Sequence, residues 1–131
     1  MAEAVCCCGR LDARGKAMPW TACCGPYLDG LTLPPDAEAL MRSRYSAFVR
    51  ERADYLLATW HPSTRPAELT FEPDAKWLGL QVRSHRQTDP THAEVEFVAR
   101  SRVAGRGQRL HERSRFVLEG GRWYYVDGDL F

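Results

Sequence analysis

From Leu40 onward apolar residues recur at helical spacing: Met41, Tyr45, Phe48 and Val49 stand at i, i+4, i+7 and i+8, while Arg42, Ser43, Ser46 and Arg50 fall off that stripe. The pattern predicts an amphipathic helical region over 40–60 on which the rest of the chain packs. Asp36 stands ahead of it as an N-cap, and Leu31 to Pro35, with Pro34 and Pro35, reads as a linker or hinge. Helical character runs to about Arg52. Asp54 is then placed to cap a second short helix through Tyr55, Leu56, Leu57 and Trp60, which Pro62 and Pro66 close.

Beyond 68–74, where Leu69 and Phe71 read as a short edge strand, the hydrophobic period changes to two. A strand over 76–85 puts Leu78, Leu80 and Val82 on one face. The next, over 92–103, opposes Val95, Phe97 and Ala99 to Glu94, Glu96 and Arg100. Gly105, Arg106 and Gly107 turn the chain into a strand over 108–119, where Leu110, Glu112, Ser114, Phe116 and Leu118 share a face. Gly120-Gly121 is the plainest hairpin signal and leads into 122–129. Helices first and an antiparallel sheet afterwards make an α+β fold rather than a parallel βαβ one.

The 131 residues suit one main domain with a small appendage, and 44% hydrophobic with 27% charged residues is ordinary for a globular chain. A net charge of +1 gives no overall pull toward nucleic acid or membrane. Arginines are concentrated between 83 and 115, which permits a local positive face, but the aromatics are expected in the core and nucleic-acid binding is not favoured. No apolar run nears the ~18 residues that span a bilayer. The opening Met1-Ala2-Glu3-Ala4-Val5-Cys6 has neither a basic nor an apolar leader region, so a cytoplasmic, reducing setting is expected.

All five cysteines, Cys6, Cys7, Cys8, Cys23 and Cys24, lie near the N-terminus, and the segment between them is too poor in apolar residues to build its own core. In a reducing compartment such clusters bind metal more often than they form disulfides. Zn²⁺ held by Cys6, Cys8, Cys23 and Cys24 would staple the segment, with Gly9 letting the backbone fold back and Cys7 left over. Four thiolates leave no open position for water, so such a site is structural. Reduced, unliganded thiols or a redox role for Cys7 are the alternatives.

Cys6-x-Cys8-Gly9, Cys23-Cys24-Gly25-Pro26-Tyr27-x-Asp29-Gly30, Leu40-Met41-Arg42-Ser43-Arg44-Tyr45-Ser46-Ala47-Phe48 and Thr59-Trp60-His61-Pro62 together resemble the bacterial YchJ family. Trp77-Leu78-Gly79-Leu80, Val95-Glu96-Phe97-Val98-Ala99-Arg100, Glu112-x-Ser114-Arg115-Phe116 and Trp123-Tyr124-Tyr125-Val126-Asp127-Gly128 continue the resemblance over nearly the whole chain. It implies an N-terminal SEC-C-type zinc knuckle over 1–33 and a cone-shaped nuclear transport factor 2-like domain over 34–131. Cys7 stands where that motif usually has Pro, Arg10 where it has Ser, and the spacer before Cys23 is longer than usual. The family is of unknown function, and one zinc is the most this cysteine set implies.

A cone of this kind has a cavity between helices and sheet, into which Tyr45, Trp60, His61, Trp77, Glu112, Arg115, Trp123 and Tyr125 offer polar heads. Glu112 shares its face with Leu110, Phe116 and Leu118, so it needs a partner or a pocket. An ion pair with Arg44 or Arg115 is the plainer role for it, and a general base the sharper one. His61 has an ordinary pKa near neutrality, about 6.5, yet a histidine at a helix end more often serves the dipole there. His61, Glu112, Arg115 and Tyr125 are the candidate ligand pocket. Two function classes follow: a non-enzymatic module whose knuckle binds a protein partner, as SEC-C tails engage the SecB chaperone, or a small-molecule binder or enzyme using the cavity. Convergence of Glu112, His61 and Tyr125 on an open pocket would favour the second.

Overall fold

A computed structural model describes residues 4–131. Its strands are β1 (Ala75–Asp89), β2 (His92–Val103), β3 (Arg106–Glu119) and β4 (Arg122–Leu130). They form one antiparallel sheet in sequential order. Two of its hairpins turn on residue pairs with positive φ, Ala104 and Gly105 at 51° and 80° and Gly120 and Gly121 at 59° and 83°. Such pairs match the twist of the flanking strands, and glycine adopts them without a Cβ clash. The first turn lies earlier than expected, because Arg106 and Gly107 already pair with Val103 and Arg102.

The helices are α1 (Gly25–Leu28), α2 (Ala37–Val49) and α3 (Ala53–Ala58). Asp36 caps α2 as expected, its Oδ1 accepting from the Ala39 N–H at 2.7 Å. Between α2 and α3 the chain reverses at Glu51, whose φ is 55°. Asp54 does not cap α3; it lies within the first turn and pairs with Arg52 at 3.0 Å. Trp60 lies beyond the helix end, where it makes a parallel bridge with Tyr125.

Two expectations about faces fail for local reasons. In β1, Trp77 pairs with Ser101 and Gly79 with Arg100, so Leu78 is a bulged residue and leaves the face shared by Leu80 and Val82. Leu78 is accordingly 49% exposed while Trp77 packs on the core. In α2, Ser43 and Ser46 are fully buried rather than on a polar face. Ser43 Oγ donates to the Leu40 carbonyl and bonds the Tyr55 hydroxyl at 2.7 Å, which satisfies a polar group in the core. No strand forms over 68–74 among the described residues, yet Phe71 still meets Phe48 edge-on with ring centroids 6.2 Å apart.

The core lies between α2 and the inner face of the sheet, with Leu40, Tyr45, Leu56, Val95, Phe97 and Phe116 buried in it. Cys6, Cys8, Cys23 and Cys24 belong to the same cluster. The cysteine segment, which precedes Pro34 and Pro35, thus packs directly on α2.

Candidate metal centre and cavity

The N-terminal segment is a small irregular hairpin. Val5 bridges Pro19 and Leu11 bridges Ala17. Asp12 closes its tip, accepting from the Arg14 and Lys16 N–H groups at 2.8 and 3.0 Å. The Cys6 N–H donates to the Met18 carbonyl at 2.8 Å, so Cys6 faces the returning strand. Gly9, at φ 78°, turns the chain back against β1, where an added Cβ would lie 3.5 Å from the Leu80 carbonyl oxygen. The turn of 3-10 helix at Trp20–Ala22 leads into Cys23, Cys24 and α1. At Gly25 an added Cβ would lie 2.8 Å from both the indole nitrogen and the carbonyl oxygen of Trp20, so no side chain fits there.

This path brings the sulfurs of Cys6, Cys8, Cys23 and Cys24 within 4.8 Å of one another, all four buried. Cys8 and Cys23 are 3.5 Å apart and Cys23 and Cys24 4.0 Å. Cys7 turns away, and its thiol donates to Ser46 Oγ on α2 at 3.3 Å. Hydrogen bonds from Cys24 above all, and from Cys7 and Cys8, hold the Cys6 thiol far below its usual range, whereas the bond to Cys6 pushes Cys24 far up. Burial pushes Cys23 up to about 12. Only a cation at the centre would let all four ionise together, and four close cysteines can hold a metal ion.

On the other side of α2 lies a cavity of about 210 Å³. Met41, Arg44 and Phe48 of α2 meet Glu112 and Ser114 of β3 and Tyr125 of β4 there. Arg44 is 3% exposed. It donates through Nη1 to the Leu56 carbonyl at 2.8 Å and to Thr59 Oγ1 at 2.7 Å. Its guanidinium carbon lies 4.6 Å from the ring centroid of Tyr125 and 5.1 Å from that of Trp60. Burial lowers its pKa to about 10, which leaves it a cation at neutral pH. Glu112 Oε2 accepts from Ser114 Oγ and, at 3.3 Å, from the Tyr125 hydroxyl. Burial, and next the Glu112 charge, push the Tyr125 phenol up.

Of the four pocket residues expected from the sequence, Glu112 and Tyr125 meet in this cavity and the other two do not. Arg115 is on the opposite face of β3 because strand alternation separates it from Glu112; it pairs with Asp127 at 2.6 Å and Asp129 at 2.8 Å. His61 is held outside, between Glu119 Oε2 and Ser63 Oγ, each at 2.7 Å. Trp60 lines the cavity, whereas Tyr45, Trp77 and Trp123 pack in the core around it. Arg44 was expected only as a partner for Glu112. Its place at i+3 from Met41 and four before Phe48 would have set it on the cavity side of the helix.

The family profile described as the YchJ middle NTF2-like domain matches residues 36–128. A UPF0225 protein of Polaromonas naphthalenivorans is 67% identical over 132 residues, covering 96% of this chain and 97% of that protein. Another, from Bordetella pertussis, is 61% identical and covers 88% of this chain and 90% of its own length. The solution structure of a SEC-C motif containing protein from Rhodopseudomonas palustris superposes with a TM-score of 0.84 at 34% identity, over 98% of this chain and 99% of that one. A crystal structure of a SEC-C motif containing protein from Psychrobacter arcticus gives 0.78 at 32% identity, over 94% and 80%.

Proposed function

Because this chain belongs to the YchJ family of UPF0225 proteins, and its structural relatives carry the metal-binding SEC-C motif, we propose that Cys6, Cys8, Cys23 and Cys24 hold one zinc ion as a structural staple in a non-enzymatic binding protein. The observation that carries this is the set of four buried sulfurs within 4.8 Å of one another. A tetrahedron with Zn–S bonds of about 2.3 Å has sulfurs about 3.8 Å apart. The 3.5 and 4.0 Å separations bracket that spacing. With every coordination position taken by protein, the metal would fix the hairpin against α2 rather than activate water. Thiolate ligation also fits a reducing cytoplasm.

Native mass spectrometry of the purified chain tests the assignment. One zinc is expected in the unaltered protein and in Cys7→Ser, and none in Cys8→Ser. Loss of metal from Cys7→Ser with retention in Cys8→Ser would overturn the ligand set.

Exposed apolar residues around the knuckle favour a protein partner there. Val5, Leu11 and Leu31 are 62%, 59% and 78% exposed on the same small segment. A second reading, binding of a small molecule, is favoured by the cavity on the far side of α2, where a buried cation faces open space among aromatic rings.

A further inference from the structure

We propose that the cavity between α2 and the sheet takes a small neutral molecule made of one apolar ring and a carboxamide-type end, whose carbonyl oxygen accepts from Arg44 and whose N–H donates to Glu112. This deepens the small-molecule reading above and rests on it.

The charges of the lining decide the class of ligand. A buried guanidinium and a carboxylate both border the same space, yet among the described residues Arg44 makes no ion pair. An anionic head would gain Arg44 but be repelled by Glu112, and a cationic head would meet the reverse. A neutral group with an acceptor beside a donor satisfies both sides and leaves no buried charge uncompensated.

Both protein groups have capacity to spare. Guanidinium carries five N–H donors, and the hydrogen bonds of Arg44 to protein both leave from Nη1. Arg122 Nε, and no nitrogen of Arg44, is the fully enclosed side-chain nitrogen without a partner among the described residues, so the other Arg44 donors reach accessible space. Glu112 is fixed in place. Ser114 and Tyr125 both bond its Oε2, and its side chain lies against Gly128, where an added Cβ would be 2.5 Å from Oε2. These bonds leave Oε1 able to accept from a ligand.

The walls set the size and the apolar part. Phe48, Trp60, Phe97 and Tyr125 supply rings, and Met41 and Leu110 aliphatic surface. Pockets for drug-sized ligands run roughly 300 to 1,000 Å³. A space of about 210 Å³ suits a single ring with a short polar end.

Benzamide, benzoate and benzylamine share that ring and differ in the charge of the head, so they form the test. Each is titrated into the ¹⁵N-labelled, zinc-loaded full chain while the Trp60 indole N–H and Tyr125 amide signals are followed. Benzamide is expected to shift both saturably and to bind about tenfold or more tighter than either charged probe. Glu112→Gln removes the repelling charge with little change of shape, so benzoate should gain about tenfold relative to benzamide. A merely structural role for Glu112 would weaken all three probes alike. Met41→Phe fills the space and should abolish the shifts.

If none of the three probes moves Trp60 at millimolar concentration, the cavity reading itself fails and this proposal with it. If benzoate or benzylamine is preferred by the unaltered protein, the cavity binds ligands but the assigned class is wrong. Shifts that persist in Met41→Phe would place binding elsewhere and overturn the assignment. Should Glu112→Gln not fold, the rank order of the three probes on the unaltered chain decides alone.

Discussion

Replacing Gly128 with alanine adds one methyl group on β4 at a place already filled by a carboxylate. The new Cβ would lie 2.5 Å from Glu112 Oε2, 2.7 Å from its carboxyl carbon and 2.8 Å from its Cγ, so Glu112 must swing away. Nothing in the backbone forbids alanine there, because Gly128 lies within β4 opposite Ser114 and has no positive φ. Taken alone, the exchange would stabilise by about 0.4 to 1 kcal/mol through the unfolded chain. Against that, the fully buried Ser114 loses the acceptor for its hydroxyl. A buried donor left unmade costs about 1 to 3 kcal/mol. The long Tyr125 bond, at 3.3 Å, adds a smaller loss. The expected net is a destabilisation of about 2 kcal/mol, or roughly a 1 M fall in urea midpoint. The informative comparison is the same exchange made in Glu112→Ala, where no side chain is in the way and the cost should vanish or change sign. Equal destabilisation in both backgrounds, or none in the unaltered protein, would refute the view that Glu112 is seated on Gly128.

Other outcomes follow from the same contacts. Asp36→Ala removes the cap bonded to the Ala39 N–H and should cost about 1 kcal/mol in urea denaturation, a loss that Asp36→Ser largely restores. Burial raises the Tyr55 phenol to about 12. Because the folded value lies above the unfolded one, near 10, that contribution is intact below pH ~10 and is lost as pH rises through ~12. Stability followed from pH 9 to 12 should therefore fall, and Tyr55→Phe should shallow the fall; an unchanged slope would remove Tyr55 from the account. Chelation of the metal should loosen α2 together with the knuckle, since the cysteines share its core. Hydrogen exchange should then accelerate in Leu40 to Ala47 as well as in Cys6 to Tyr27. Full protection of α2 after complete metal removal would restore the picture of an appended module.

Elements whose local and global signals agree were legible in the sequence. The four strands, the Gly120-Gly121 hairpin, the Asp36 cap and the α+β order needed only period and turn chemistry. The cysteine cluster was legible for a different reason, because a segment too poor in apolar residues for a core of its own has few other ways to be ordered. What escaped reading depended on one extra residue or one unseen neighbour. The bulge at Leu78 moves Trp77 onto the core face, and alternation alone cannot announce a skipped residue. His61 was expected near the pocket from its neighbours Trp60 and Pro62, yet the chain turns after Thr59 and sends it to Glu119. Arg115 was one residue away from the inward face, which in a strand is the opposite side of the sheet.

The buried serines of α2 show why a single amphipathic stripe misdescribes that helix. Met41, Arg44 and Phe48, at i, i+3 and i+7, line the cavity. Arg42, Ser46 and Arg50, at i, i+4 and i+8, meet the knuckle instead. Arg42 donates to the Cys8 carbonyl at 2.9 Å, Ser46 accepts from Cys7, and the Arg50 guanidinium stacks 3.8 Å from the Trp20 ring centroid. Polar residues off the apolar stripe normally mark solvent, but here they mark a second protein surface made of backbone carbonyls, thiols and one indole. A knuckle with no apolar core of its own can only be held by such contacts, and a helix covered on both sides can keep small serines where larger side chains would not fit. The cysteine cluster and the cavity thus share one wall, α2. A metal ion held by the four cysteines would therefore brace the helix that carries Arg44 as well as the segment that carries the thiols.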